Sequence, residues 1–572
     1  MRCLLLAGSA LATALAIAGR PARTQMRPLT HRWVYLAHNL LPDENVPVVE
    51  GLLRRAAAAG YSGAVLADYK LNILDRMDER YFRHVDRIRK VARELRMELV
   101  PCVFPIGYSS GLLAHDPSLV EAMPVRDAEF RVRQGAARLV PDPDARVANG
   151  GFEESVGHRV AGWALQDEPG QATLVDREVR HGGAASLRLQ DLGATNPPAG
   201  NGRVMQSVRL KPFRCYRVSF WARTRGLDTP GSVNCVVLPP RQGAPSLTHI
   251  SLGVAPDQDW KLHQTVFNSQ DNSSANLYIG VWGGRRGALW IDDVRLEEIG
   301  LVNVVRRDGC PLVVKGEDGT VYAEGRDYEP VRDPRMGTVP WEGEFELWHE
   351  PLDIRLAASS RIREGQRLRV SFYHPGLVHE GQAAACLTHP KVYALLRDQM
   401  ERVQRLFQPA TVFMQHDEIR CANWCGLCQA RGVSPGRLLA DNARRCVEIV
   451  RRASPQARVC VWSDMFDPHH NARGDYYLVN GSWAGSWEGL ASDVVIVNWN
   501  AEQAARSLPF FAGRGHRQIL AGYYDGDPAA TLRWLETARG VRGVEGLMYT
   551  TWANRYDDLE RFAGLLWRPA PK

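Results

Sequence analysis

Short apolar runs alternate with amphipathic segments at both ends of the chain. Each run has the length and the β-branched and aromatic content that are typical of a buried strand. The intervening segments, such as 48–60, 81–95 and 392–406, carry apolar residues at helical spacing. This alternation predicts a parallel sheet. The predicted strands lie at 33–38, 63–68, 98–104, 411–417, 458–463, 493–498, 518–522 and 546–550.

Three of these strands precede a long interruption and five follow it. Eight parallel strands are the number that closes a barrel with helices around it. The predicted fold class is therefore α/β, a (β/α)8 TIM barrel interrupted by an all-β jelly-roll sandwich insertion. The alternative is a pair of separate α/β domains on either side of a sandwich.

The interruption is rich in Gly, Asn and β-branched residues, with short alternating segments such as 216–222 and 277–282. Alternation at this spacing is typical of a β-sandwich. We therefore predict four parts in the mature chain. They are the first part of the barrel at 30–141, an inserted jelly roll at 145–300, a small β subdomain at 301–375 and the second part of the barrel at 385–568.

The first 18 residues have the pattern of a secretory signal. Arg2 precedes an Ala/Leu run, and Ala16-Ile17-Ala18 fits a small-residue cleavage site. An uncleaved anchor is the alternative, but the run is shorter than the roughly 20 residues that span a bilayer. We expect a signal peptide at 1–18, export to the periplasm or the medium, and no membrane span in the mature chain.

Polar and aromatic groups follow five of the predicted strands. In a barrel of parallel strands, the carboxyl ends of the strands meet at one mouth, where binding and catalysis occur. Carboxylates beside Trp and Tyr rings suit sugars, because the rings stack on C–H faces and the acids bind hydroxyls. The groups are His416-Asp417-Glu418, Trp462 with Asp464, Trp499, Tyr523-Tyr524-Asp525, and Trp552 with Arg555. Asp68 and His374 are further candidates for lining the mouth.

The charge balance argues against nucleic acid as the partner. The 71 basic and 64 acidic residues leave a net charge of +7, spread along the chain without a basic run. An oligosaccharide or polysaccharide is the expected partner.

Three cysteines, Cys421, Cys425 and Cys428, form a C-x3-C-x2-C cluster just after the acidic strand. A structural zinc site needs about four ligands, and His416 or a distant cysteine could supply the fourth. In an exported protein the same cluster could form a disulfide. We favour a disulfide or free thiols over a metal at this cluster.

Three of these segments resemble the glycoside hydrolase family 20 superfamily of β-N-acetylhexosaminidases, and especially its hexosaminidase D-like branch. The matching segments are 416–418, 461–466 and 551–557, in the same order and after the corresponding strands. The family usually has Gly or Ala before its Asp-Glu pair, where this chain has His416.

This resemblance implies hydrolysis of a terminal β-linked N-acetylhexosamine by a retaining, substrate-assisted mechanism. Glu418 would protonate the leaving oxygen and then activate water. Asp417 would orient the 2-acetamido group, whose carbonyl oxygen attacks the anomeric carbon. Trp499 and Trp552 would enclose the acetamide, Tyr523 or Tyr524 would hydrogen-bond it, and Asp464 would bind sugar hydroxyls. Since neighbouring strand residues face opposite sides, both carboxylates reach one pocket only if the strand ends or bulges at Asp417.

The predicted sandwich resembles the CenC-type carbohydrate-binding modules of families 4 and 9. The resemblance lies in segments 149–153, 162–163, 182–189, 216–222 and 290–296. It implies a possible structural calcium near Asp292 or Asp293, and no cofactor is required for the proposed reaction.

Two alternatives to this function remain. One is a non-catalytic glycan-binding protein with a degenerate barrel, which the unusual His416 favours. The other is a retaining glycosidase of different specificity, with Asp464 or Asp525 as its nucleophile.

Overall fold

The computed structural model describes residues 29–346, 349–379 and 381–567. The predicted signal peptide at 1–18 lies outside the described residues. Eight parallel strands close into a barrel in chain order, so the first strand pairs with both the second and the eighth. These strands are His31–Leu36, Gly63–Leu66, Glu98–Val103, Thr411–Met414, Arg458–Trp462, Val495–Asn498, Gln518–Tyr523 and Val544–Thr550.

The barrel strands are apolar on both faces because both faces are buried. In the first strand, Trp33 and Tyr35 belong to the cluster that fills the barrel. Val34 and Leu36 belong instead to the larger cluster between the strands and the helices. Phe413 and Trp462 fill the barrel from the fourth and fifth strands. This alternation explains why the strands appear in the sequence as continuous apolar runs.

Ten α-helices lie within the described residues. Polar caps set two of their starts: the Asp78 side chain accepts the Tyr81 N–H at 3.0 Å, and Ser434 accepts the Arg437 N–H at 3.3 Å. No helix in these ranges is long and apolar enough to cross a membrane. The helices are Asn45–Ala58, Glu79–Glu94, Ser110–Leu113, Leu192–Thr195, Pro390–Phe407, Gly426–Gln429, Pro435–Ala453, Ala504–Gly513, Ala530–Ala538 and Leu559–Leu566.

The predicted fold class, a (β/α)8 TIM barrel with a jelly-roll insertion, is wrong in that form. The chain does have a closed barrel of eight parallel strands, but only 24% of it is helical and many of its sheets are antiparallel. Between the fifth and sixth strands, two short 3-10 turns, Asp464–Phe466 and Ser486–Gly489, stand in place of an α-helix. The alternation of apolar runs and amphipathic segments in the sequence therefore predicted more α-helix than the structure has.

Two antiparallel sheets face each other between residues 165 and 298 and enclose their own apolar cluster. Tyr216, Phe220 and Leu277 are fully buried in that cluster. The five-stranded sheet has the order Gln258–Asn268, Cys215–Arg225, Ala288–Glu298, Ser186–Gln190, Thr173–Asp176. The four-stranded sheet has the order Val233–Leu238, Ser274–Val281, Gly202–Arg209, Leu165–Gln166.

A third antiparallel sheet connects these two sheets to the barrel. Its central strand Arg367–Pro375 pairs with Ala122–Arg133, which lies within the range predicted as barrel. The order is Val321–Tyr322, Val313–Gly316, Arg367–Pro375, Ala122–Arg133, Ala136–Leu139, Ile354–Arg355. Short two-stranded pairs join Leu377–Val378 to Gln382–Ala383, Cys421–Ala422 to Leu478–Val479, and Ser155–Val156 to Arg159–Val160.

The chain leaves the barrel and returns to it at adjacent points. The Glu121 N–H donates to the Ala384 carbonyl at 2.7 Å, and the Cys386 N–H donates to the Leu119 carbonyl at 2.8 Å. All antiparallel strands between these points are therefore anchored beside the carboxyl end of the third barrel strand. This places them on the side of the barrel that carries the candidate site.

Candidate functional site

The segment after the fourth barrel strand turns sharply. The strand ends at Met414, and the backbone is left-handed at His416 (φ 51°) and Glu418 (φ 47°). Such φ values are uncommon for residues with side chains, and they cluster at functional sites. Gly107, after the third strand, packs so closely that a Cβ there would lie 2.1 Å from the Asp417 carbonyl oxygen. The strand therefore ends before Asp417, as a shared pocket for both carboxylates requires.

The Glu418 carboxylate is held by two groups that the sequence analysis did not single out. Its Oε1 lies 2.7 Å from Nη2 of Arg420, and its Oε2 accepts a close hydrogen bond from the Tyr108 hydroxyl. The Tyr477 ring lies 4.9 Å from the Arg420 guanidinium. Glu418 is thus ion-paired at the rim of the mouth.

Asp464 organises the base of the site. Its side chain is fully buried and accepts the Glu418 N–H at 2.9 Å, the Asn471 amide at 3.0 Å and the Trp499 indole N–H at 3.1 Å. Burial raises the pKa of Asp464 to about 6, although these hydrogen bonds act in the opposite direction. Both oxygens are occupied by neighbours, so Asp464 positions Glu418 and Trp499.

Asp417 is the third carboxyl group of this site. Burial raises its pKa well above the ordinary value of 3.8, and the charges of Asp464 and Glu418 raise it further. Like charges in a shared, poorly hydrated site favour keeping a proton on one member. The three carboxyl groups therefore form one electrostatic unit in which Asp417 favours its neutral form.

Aromatic rings surround these carboxyl groups. Trp462 is buried beneath Trp552, with ring centroids 5.8 Å apart, and the Trp552 side chain is 47% exposed. The rings of Trp499 and Tyr524 are parallel with centroids 5.9 Å apart, and Tyr524 meets Trp552 edge-on at 5.6 Å. The mouth thus combines carboxyl groups with an exposed aromatic face, as sugar recognition requires.

One predicted site residue at the end of the barrel, Tyr523, faces away from this group, and another, Arg555, has no contact with it among those described. Tyr523 stacks on Tyr549 at 4.2 Å, and its hydroxyl donates to Asp558 at 3.3 Å, within the helical layer. The Arg555 side chain is exposed at the surface. Of the two adjacent tyrosines, Tyr524 is therefore the one that reaches the aromatic wall.

Asp525 has a supporting position in the same region. Its carboxylate accepts the backbone N–H groups of Trp552 at 2.8 Å and Ala553 at 3.1 Å, as well as the Thr551 hydroxyl. Asp525 therefore holds the loop that presents Trp552.

Asp68 and His374 lie apart from the carboxyl groups. Asp68 is buried and caps the turn Tyr69–Asn72. His374 lies in the third antiparallel sheet, where its Nε2 is 3.0 Å from the Asn268 amide. The structure does not bring either residue to the group around Asp464.

We expect Asp68→Ala to lower stability without changing ligand affinity. The Asp68 carboxylate accepts from Leu40 N at 3.0 Å, Lys70 N at 2.9 Å and the Tyr81 hydroxyl at 2.9 Å. Each buried donor left without a partner costs roughly 1–3 kcal/mol. Tyr81→Phe, which removes only one of the three donors, should cost less. Urea unfolding checks both variants, and a weakened affinity with unchanged stability would contradict the structural role.

His416 points away from the mouth into the layer of helices. Its Nε2 lies 3.0 Å from the Asn442 side-chain oxygen, and the Asn442 amide donates to the Tyr393 hydroxyl at 3.0 Å. Burial lowers the pKa of His416 to about 4. The residue that departs from the family pattern is therefore a neutral core histidine outside the pocket.

We expect His416→Gln to flatten the dependence of stability on pH. In the folded protein His416 is neutral above pH 4, while the unfolded chain binds its proton near pH 6.5. The folded state consequently loses stability as the pH falls from 6.5 to 4, by up to about 3 kcal/mol from this residue. Urea midpoints at pH 7 and pH 4.5 measure the effect. A slope in His416→Gln equal to that of the wild type would contradict the assignment.

Some site residues carry little sequence signal. Tyr108 follows the third strand and could have been found from its position in a loop at the carboxyl end of the barrel. Arg420 and Asn471 lie in irregular segments after the fourth and fifth strands. Asn442 lies on the helix Pro435–Ala453 and supports the site only through His416. These roles depend on three-dimensional contacts that no spacing rule predicts.

The predicted C-x3-C-x2-C cluster divides into two parts. Cys421 packs with Met123, Val378 and Leu478. Cys425 and Cys428 lie together with other potential metal ligands elsewhere. His416, one suggested fourth ligand, is bound to Asn442 instead.

The two aspartates considered for calcium are occupied by N–H donors. Asp292 is fully buried and accepts from His181 N at 2.8 Å, Gly182 N at 3.0 Å and Asp293 N at 2.7 Å. The Asp293 carboxylate lies 2.7 Å from Nδ1 of His181. Since calcium takes six to eight oxygen ligands, further oxygens would have to join them, and the structural calcium near Asp292 or Asp293 stays a prediction.

No family model and no curated protein matches the chain. Among solved structures, a rhamnosidase from Novosphingobium sp. PP1Y is 10% identical over 94% of this chain and 58% of its own, with a TM-score of 0.33. A chitobiase from Flavobacterium johnsoniae is 14% identical over 32% of this chain and 30% of its own, with a TM-score of 0.24. The CBM22-1 xylan-binding domain of Paenibacillus barcinonensis Xyn10C is 16% identical over 26% of this chain and 92% of its own, with a TM-score of 0.20. Scores this low show no specific relationship between this chain and these proteins.

Proposed function

We propose that this protein hydrolyses a terminal β-linked N-acetylhexosamine, with Glu418 as the general acid and base. The observation that carries the proposal is the turn after the fourth barrel strand. Left-handed backbone at His416 and Glu418 lets two consecutive carboxylates serve one pocket, which a regular strand would forbid.

Asp417 is suited to stabilising the 2-acetamido group, while Glu418 transfers the leaving-group proton. Burial and the charges of Asp464 and Glu418 raise the pKa of Asp417, so a negative charge at Asp417 is disfavoured in the free protein. A bound 2-acetamido group would supply an N–H donor and, as its carbonyl oxygen attacks the anomeric carbon, a developing positive charge. Asp417 would then stabilise the cyclic intermediate more than the ground state, as catalysis requires.

The alternative of an aspartate nucleophile is less favoured. The oxygens of Asp464 accept three hydrogen bonds, and those of Asp525 are taken up by the loop that carries Trp552. Attack on an anomeric carbon needs an oxygen that faces the substrate. Substrate assistance avoids this need, because the nucleophile belongs to the sugar.

The Arg420 ion pair favours a second candidate, a glycan-binding protein without turnover. The Arg420 guanidinium occupies Oε1 of Glu418 at 2.7 Å and the Tyr108 hydroxyl occupies Oε2, so both carboxylate oxygens are engaged before a leaving group arrives. In the catalytic proposal, the leaving group has to displace Arg420 from Glu418. In the binding proposal, the pair persists and only fixes the rim of the mouth.

The rates at which the wild-type protein hydrolyses four substrates distinguish between these functions. The substrates are the 4-nitrophenyl β-glycosides of N-acetylglucosamine, N-acetylgalactosamine, N-trifluoroacetylglucosamine and glucose. We expect turnover of an acetamido sugar, slower turnover of its trifluoroacetyl analogue, whose carbonyl oxygen is a weaker nucleophile, and no turnover of the glucoside.

Each other outcome has a defined meaning. Equal rates for the acetamido and trifluoroacetamido sugars would contradict substrate assistance. Turnover of the glucoside would point to a nucleophile from the protein. If chitooligosaccharides bind by calorimetry but no substrate is turned over, the binding function replaces the catalytic one.

A further inference from the structure

A second constellation of reactive side chains lies where the antiparallel region leaves and rejoins the barrel. It consists of Glu121, Cys386, Cys425 and Cys428, all buried. One potential ligand atom from each residue lies within 4.8 Å of the other three. The four residues come from three distant segments, so the fold itself assembles them.

The distances between the ligand atoms of these four residues match those around a metal ion. The Cys386 sulfur lies 3.6 Å from that of Cys425 and 3.7 Å from that of Cys428, whose sulfur is 3.7 Å from Oε2 of Glu121. A disulfide would bring two sulfurs to about 2.0 Å. Sulfurs bound tetrahedrally to zinc at about 2.3 Å lie about 3.8 Å apart. The observed distances are close to the edges of such a tetrahedron.

The surroundings hold these ligand atoms in place. Oε1 of Glu121 accepts the backbone N–H groups of Trp424 at 2.7 Å and Cys425 at 3.0 Å, while its Oε2 contacts the Cys428 sulfur. The Thr388 hydroxyl lies 3.3 Å from the Cys428 sulfur and 3.5 Å from that of Cys386. Hydrogen bonds of this kind orient metal ligands and tune their affinity.

We infer that Cys386, Cys425, Cys428 and Glu121 form a structural site for one thiophilic divalent cation, Zn²⁺. Three sulfurs select a soft or borderline ion over Mg²⁺ or Ca²⁺. All four residues are buried, which fits a structural role better than an open catalytic position. The site is separate from the proposed active site and does not depend on the proposed function.

Two neighbours complete this assignment. Arg307 is fixed by the Ser118 carbonyl at 2.7 Å and the Val120 carbonyl at 3.0 Å, and its charge acts on Cys386 and Cys425. Three thiolates and a carboxylate outweigh the charge of one divalent ion, and the guanidinium offsets part of that excess. Cys310 contacts the Cys425 sulfur from outside the group of four.

The preference for a disulfide or free thiols, based on spacing alone, is revised by this geometry. Cys386 comes from 39 residues before Cys425, and Glu121 from 304 residues before it. Neither residue belongs to the C-x3-C-x2-C motif. The third member of that motif, Cys421, is not in the site.

The test begins with the full-length protein purified without chelator. Mass spectrometry of metals should find about one zinc per chain. Replacement by Co²⁺ should produce the visible bands of tetrahedral cobalt and the near-ultraviolet bands of sulfur-to-cobalt charge transfer. Zinc-free protein that does not bind Co²⁺ would overturn the site, and so would denatured, chelator-treated protein in which two of the three cysteines are alkylated only after reduction.

Matched variants identify the ligands. Cys425→Ser and Cys428→Ser should lower zinc content by more than roughly tenfold, while Cys421→Ser, which alters the neighbouring motif cysteine, should keep it. Glu121→Gln should lower zinc content, and Cys310→Ser should keep it. If Glu121→Gln keeps its zinc and Cys310→Ser loses it, Glu121 is not the fourth ligand. If a ligand variant does not fold, the cobalt spectrum of the wild type still decides whether the site exists.

Discussion

Glu418→Gln is expected to lower kcat for an aryl β-N-acetylglucosaminide by about 10²- to 10⁴-fold, because general acid–base catalysis contributes that much. Glutamine keeps the size of the side chain and can still contact Tyr108, but it cannot donate a proton and retrieve it. The loss should grow as the leaving group becomes more basic, since a poor leaving group depends more on protonation. Rates across a series of substituted phenyl glycosides measure this trend.

The same change, glutamate to glutamine, at an exposed position provides the control. Glu448 is exposed on the helix Pro435–Ala453, so Glu448→Gln should keep wild-type rates on every substrate. The affinity of Glu418→Gln for a chitooligosaccharide, measured by calorimetry, should remain within a few-fold of that of the wild type. A Glu418→Gln variant with nearly normal turnover of phenyl glycosides that have basic leaving groups would rule out the assigned role.

Asp417→Asn is expected to lower activity and raise stability at the same time. Asparagine cannot stabilise the positive charge of the cyclic intermediate, so kcat should fall by about 10²-fold or more, comparable to the loss of one preorganised electrostatic contact. The folded-state pKa of Asp417 is raised above 3.8. The stability linked to this group is therefore fully present below pH 3.8 and is lost as the pH rises towards the folded-state pKa. A neutral isostere escapes that loss, so the variant should unfold at higher urea concentration at neutral pH.

Comparison across pH separates this effect from a general change in packing. The stability gain of Asp417→Asn over wild type should shrink when both are unfolded near pH 4, where wild-type Asp417 is neutral as well. Asp493→Asn, at an exposed position paired with Arg451, should show no such gain. An Asp417→Asn variant that is less stable than wild type at neutral pH would show that its charge is compensated in the folded protein.

The positions of the barrel strands could be predicted from the sequence because burial on both faces leaves long apolar runs. The run Gly63–Leu66 and the run Val495–Asn498 both fall within predicted strands. The departure from a regular ring of helices was not predicted, and Ser486–Gly489, a short 3-10 turn between the fifth and sixth strands, is part of that departure. The pairing of Ala122–Arg133 with Arg367–Pro375 likewise joins segments that are far apart in the sequence.

The candidate site was predictable only in part, for a related reason. Asp417, Glu418 and Asp464 were predicted because they directly follow apolar strands, where charged residues are costly, and the structure makes the three interact. The direction of a side chain could not be predicted. Tyr523 and Tyr524 are neighbours, yet Tyr523 stacks on Tyr549 and Tyr524 stacks on Trp499. His416 attracted attention as a departure from a family pattern, although its contacts are those of a core residue. Residues that act through another group, such as Arg420, have no local signature.

The position of Tyr477 bears on how this chain could be divided or engineered. Its ring supports Arg420 on one side and meets the ring of His249, from the inserted sandwich, at 4.9 Å on the other. A shortened protein lacking 145–300 would lose that backing and leave Tyr477 and Arg420 free to rearrange beside Glu418. The insertion therefore forms part of the wall beside Glu418, and replacing it with another module would change the surroundings of Arg420 and Glu418.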